Sequence, residues 1–83
     1  MKKLTQAVFS LPECPPWAKS ATVDIDGIAC YFANTKEYLC VLQVSKIWGY
    51  SEKLFGANCK EFGTGYDTTN WQQSAINREG WEL

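Results

Sequence analysis

Apolar and polar positions alternate most regularly between residues 21 and 32. Ala21-Thr22-Val23-Asp24-Ile25, then Asp26-Gly27, then Ile28-Ala29-Cys30-Tyr31-Phe32 reads as two strands around a turn. Asp-Gly supplies the positive φ angles of a two-residue hairpin loop. That loop sets Ile25 against Ile28, Val23 against Cys30 and Ala21 against Phe32 on one apolar face. Thr22 with Tyr31, and Asp24 with Ala29, then form a solvent-facing side.

Residues 38–44 are an apolar, β-prone run. After Ser45-Lys46, Ile47-Trp48-Gly49-Tyr50 is either its continuation or a second short strand. Residues 51–57 are ambiguous. Residues 60–66 fit a last strand whose glycines, Gly63 and Gly65, mark a bulge or close packing. Upstream, residues 2–10 can form a short helix presenting Leu4, Ala7 and Val8. Pro12, Pro15 and Pro16 stop it, because each removes a backbone donor and extends the residue before it. Residues 1–17 thus read as a lead-in segment that Trp17 folds onto the core. Near the C-terminus, Asp67 or Thr68 can cap a helix over 69–78 that Gly80 ends, with Trp71 and Ala75 on its docking side. The expected fold is a single α+β domain over residues 1–83. It has a small antiparallel sheet of three or four strands, with the C-terminal helix packed on one face.

Composition supports a dense core: 46% of the chain is apolar and 14% aromatic. Large rings give a small domain the most burial per residue. Eight cationic against nine acidic side chains leave a net charge of −1. That balance argues against binding nucleic acid through its phosphates. No run approaches the ~18 apolar residues of a membrane span, and no apolar stretch follows Lys2-Lys3 as in a signal peptide. The cytoplasm is therefore the expected compartment.

Candidate chemistry is sparse. With no histidine, the usual general base and imidazole ligand are missing, so the chain reads as non-catalytic, with no cofactor. Cys14, Cys30, Cys40 and Cys59 form no C-x-x-C pair, and buried free thiols are expected rather than disulfides or a metal site. Asp24 reads as a solvent-face strand residue and Asp26 as a turn former. Trp17, Trp48 and Trp71 are assigned to the core, and Tyr50, Tyr66 and Trp81 to exposed contacts. The stretch from Tyr66 to Trp81 displays more polar and aromatic groups than packing requires. Tyr66, Gln72, Gln73, Asn77, Arg78 and Trp81 are the candidate binding residues, Arg78 being the single arginine and suited to bidentate or stacking contacts.

Three segments taken together, Val23-Asp24-Ile25-Asp26-Gly27, Trp48-Gly49 and the run from Asp67-Thr68-Thr69 through Trp71, Ser74 and Ile76 to Arg78-Glu79, resemble a group of short bacteriophage and prophage accessory proteins. Those carry a V-D-x-D-G hairpin, a middle Trp strand and a terminal D-T-T-x-W-x-x-S-x-I-x-R-E helix. The resemblance implies no activity and no functional residues. It implies a setting, the cytoplasm of an infected bacterium. There, a binder that modulates or inhibits a host protein is expected, such as an antiphage defence factor or CRISPR effector. The alternative is an oligomeric sponge for a signalling nucleotide. Twelve aromatics on so short a chain also suggest a homodimer or higher homo-oligomer.

Overall fold

The structure, a computed structural model, describes residues 1–50 and 58–80. Among these residues there are six strands: β1 (Ser20–Val23), β2 (Ala29–Phe32), β3 (Leu39–Leu42), β4 (Ile47–Tyr50), β5 (Cys59–Gly63) and β6 (Ile76–Asn77). They form a four-stranded sheet in the order β5-β2-β1-β6 and a separate β3-β4 hairpin, all antiparallel. Helical structure among the described residues is limited to 3-10 turns at Gln6–Ser10, Lys36–Tyr38 and Trp71–Gln73. The α+β expectation is therefore corrected to two small sheets without a C-terminal helix. No helix of the described residues is long and apolar enough to cross a membrane.

The Asp-Gly turn is present, but its loop has three residues. Asp24 N–H donates to the Ile28 carbonyl and Gly27 N–H to the Asp24 carbonyl, both at 3.0 Å. Gly27, at φ +83°, supplies the left-handed step that ends a type I turn in a one-residue bulge. The extra loop residue shifts the register by one, pairing Val23 with Ala29, Thr22 with Cys30, Ala21 with Tyr31 and Ser20 with Phe32. A one-residue slip exchanges every cross-strand partner. Ala21, Val23, Ala29 and Tyr31 consequently share one face with Val8, Phe9, Ala18 and Tyr66. Cys30 and Phe32 lie on the other, packed with Leu39, Trp48 and Tyr50. Both faces are covered, so β1 and β2 are buried along their whole length.

The N-terminal segment covers the first face. Lys2 runs beside Tyr66, accepting the Asp67 N–H at 2.7 Å, and the turn Gln6–Ser10 inserts Val8 and Phe9. Gly63 answers to both sequence readings. It sits where the β2–β5 register shifts, and a Cβ there would meet the Tyr66 ring at 2.9 Å.

The C-terminal segment is extended because tertiary partners outweigh a weak helical pattern. The Asp67 carboxylate accepts the Thr69 N–H at 2.9 Å, and Asn70 takes left-handed geometry at φ 59°. Only one 3-10 turn follows. The Ser74 hydroxyl then accepts from Val23 N–H at 2.9 Å and donates to Val23 C=O at 3.2 Å, imitating a strand neighbour. Ile76 packs on the first core, and Arg78 N–H reaches the Lys19 carbonyl at 2.8 Å. Thr68, Thr69, Asn70 and Ser74 have modest helix propensity, so little local preference opposes this arrangement.

Candidate functional site

Three of the six residues assigned to a C-terminal binding surface, Tyr66, Asn77 and Arg78, have duties inside the fold. Tyr66 is buried, not exposed: its ring meets Phe62 edge-on at 5.7 Å, and the Lys2 ammonium lies 4.7 Å from its centre. Asn77 accepts the Lys36 N–H at 2.7 Å and directs its amide to the Glu37 carboxylate at 3.2 Å, joining β6 to the Lys36–Tyr38 turn. Glu37 is held below its ordinary value by the Thr35 hydroxyl, with the Asn77 amide adding to the effect. Arg78 donates to the Ala18 carbonyl at 3.3 Å and lies over the Phe9 ring. Gln72 and Gln73 are exposed as expected. Trp81 is outside the described residues, as is the ambiguous stretch 51–57. Tyr50, another expected contact, is half-buried, and its hydroxyl donates to the Asn58 carbonyl at 2.6 Å. Trp17, Trp48 and Trp71 are half-buried, in partial accord with their core assignment.

Two open depressions of about 390 Å³ each flank Gln73. Each is lined by one ammonium and one carboxylate, Lys3 with Asp67 in the first and Lys36 with Glu37 in the second. Opposite charges side by side leave little net field to hold a phosphate. All four cysteines are free. Cys30 is buried and its thiol is pushed up to about 12, first by that burial and then by the Asp24 charge, which keeps it inert. Cys59 is exposed, which corrects the expectation that every thiol is buried.

The β3-β4 hairpin carries the feature that the sequence reading did not weigh. Leu39, Trp48 and Tyr50 face the second core. Strand alternation turns Cys40, Leu42, Ile47 and Gly49 outward, where polar residues normally meet water. Leu42 and Ile47 are each 38% exposed, and Val44 at the tip is 100% exposed. Trp48 anchors this hairpin, its backbone N–H donating to Asp24 Oδ1 at 2.8 Å and its indole N–H to the Trp71 carbonyl at 2.9 Å. The Asp24 contact also brings in the β1–β2 turn, where Ile25 is 46% exposed. Apart from Met1, every large apolar side chain exposed among the described residues lies on these two joined hairpins. The signal was present in the run 38–47, which is apolar on both strand faces rather than on one.

Asp24 is buried rather than solvent-facing. Burial raises its carboxyl above the ordinary value; the Trp48 N–H opposes this, and Asp26 and Glu61 add to it. A carboxyl raised by folding gives its full stabilisation below the ordinary value and loses it as pH climbs through the raised one. Asp24→Asn keeps an acceptor for Trp48 and removes the buried charge. Thermal unfolding should therefore show a higher Tm than the parent at pH 7 and no difference near pH 3; a lower Tm at pH 7 would refute this account.

No protein-family model, curated protein or solved structure matches this chain. Its functional reading rests on its own residues and geometry.

Proposed function

We propose that this chain is a non-catalytic bacteriophage accessory protein that binds a host protein and modulates or inhibits it. Its contact surface is the outer face and tip of the β3-β4 hairpin. One observation carries the reading: exposed Leu42, Val44 and Ile47 on this hairpin, with Ile25 on the turn that Asp24 ties to it, form an apolar display. Clustered apolar exposure favours protein contact, since such groups gain free energy only when another apolar surface removes them from water. The anchored hairpin presents them with little ordering cost. The phage setting comes from the sequence motifs, and a host defence factor is the partner class that setting suggests.

The test substitutes Val44→Asp. The side chain makes no use of protein packing, so the melting temperature should stay within the range of a surface change. A host protein captured from bacterial lysate, identified and purified, should bind the variant at least about tenfold more weakly, as for loss of a hot-spot contact. Undiminished binding by Val44→Asp, with loss on Gln73→Ala, would move the contact surface to the depressions beside Gln73.

A further inference from the structure

Strand edges expose unpaired N–H and C=O groups, and among the described residues each edge except one carries a cap or a charge. On the free side of β4, Asp24 occupies the Trp48 N–H. Beyond β6, the Gln6 side-chain amide donates to the Asn77 carbonyl at 2.6 Å and accepts the Glu79 N–H at 3.0 Å. The outer strand β5 carries Lys60 and Glu61, charges of the kind that discourage edge pairing. The outer edge of β3 has no charge: Leu39-Cys40-Val41-Leu42-Gln43 is neutral throughout, and among the described residues only β4 pairs with it.

The backbone parity of this edge follows from Trp48. Its N–H goes to Asp24 and not to β3, so Val41 and Trp48 are a non-hydrogen-bonded pair, and Val41 turns its own N–H and C=O outward. The Leu39 carbonyl points the same way, while the Leu39 N–H is already bonded to the Lys36 carbonyl. The Leu42 carbonyl faces Lys46 N–H at 2.7 Å, which sends the N–H of the next residue, Gln43, outward. The open edge thus offers the N–H groups of Val41 and Gln43 and the carbonyls of Leu39 and Val41.

We propose that β3 pairs antiparallel with β3 of a second copy about a two-fold axis at Val41. In that register each Val41 bonds reciprocally with Val41 of the partner subunit. Each Gln43 N–H meets Leu39 C=O of the partner subunit. Every outward donor then has an outward acceptor, without remainder and without facing charges. The pairing converts a two-stranded sheet, marginal by itself, into one of four strands. It leaves the outer apolar faces open and side by side, so it does not depend on the host-binding role.

Light scattering at tens of micromolar should give twice the chain mass. Gln43→Pro removes one donor from each copy at an exposed position that follows an extended residue, and it should weaken the dimer roughly tenfold or more. Leu42→Cys places a thiol opposite Cys40 of the partner subunit, where Cα atoms of a non-hydrogen-bonded pair lie ~4.5 Å apart. Mild diamide oxidation should then yield a covalent dimer whose linkage maps to those two positions. A monomer at hundreds of micromolar overturns the proposal, as does a dimer that is indifferent to Gln43→Pro and does not cross-link there.

Discussion

Replacing Tyr31 by alanine is expected to lower stability by ~3–5 kcal/mol, the cost of removing a large ring from a packed core. Tyr31 has no solvent exposure. Its ring stacks on Phe62 with centroids 3.9 Å apart, contacts Phe9 at 6.1 Å, and its hydroxyl donates to the Val8 carbonyl. It is therefore the point where β2, β5 and the N-terminal turn meet. Burial raises its hydroxyl well above the ordinary tyrosine value, so it remains a donor across the usable pH range. Tyr31→Phe keeps the ring and strips the Val8 carbonyl of its donor, which should cost only ~1–2 kcal/mol. Urea denaturation distinguishes the two. Native stability of small domains is ~5–15 kcal/mol, so the alanine substitution should remove a large share of it and lower the urea midpoint markedly. A loss below ~1 kcal/mol for Tyr31→Ala would show that the ring is not packed as described.

The second large effect is at Trp48, where Trp48→Ala should cost ~2–4 kcal/mol, somewhat less than a fully buried tryptophan. The ring packs on the second core and its indole N–H holds the Trp71 carbonyl. Because these contacts attach the hairpin to the larger sheet, amide exchange in β3 and β4 should accelerate more than in β1 and β2. Host binding should fall together with stability. That coupling separates Trp48 from Val44, whose substitution should affect binding alone. Uniform acceleration of exchange across both sheets would mean that the hairpin is no separate unit.

The central hairpin was legible in the chain because Asp26-Gly27 and the flanking apolar residues point to the same turn. Its register was not. A two-residue and a three-residue loop share the Asp-Gly signal, and only the hydrogen bonds of Asp24 choose between them. The alternation itself misled, since Thr22 and Asp24 look solvent-facing yet are buried. The C-terminal segment failed for a different reason. Trp71 and Ala75 stand at helical spacing, but spacing in so short a stretch cannot reveal a strand partner more than fifty residues earlier. The same distance hid the internal roles of Asn77 and Arg78, which look like surplus polar display until Lys36 and Ala18 are brought beside them. Among the candidate site residues, Gln72 and Gln73 were placed correctly on the surface; the exposed hairpin face was passed over because its apolar run suggested burial.

The two ends of the described chain are knitted together: Gln6 grips the segment from Asn77 to Glu79, and Lys2 runs alongside Tyr66. This has a consequence for the order of folding. The β1–β2 and β3–β4 hairpins can close quickly, since their loops are short, but β6 and its neighbours must wait for contacts across most of the chain. Topologies dominated by such distant pairings fold slowly, in milliseconds to seconds. On a ribosome, β1 would lack its outer neighbour until Ile76 and Asn77 emerged. During that interval Val23 and Ala21 would present an open strand edge, one that Ser74 and Ile76 later close.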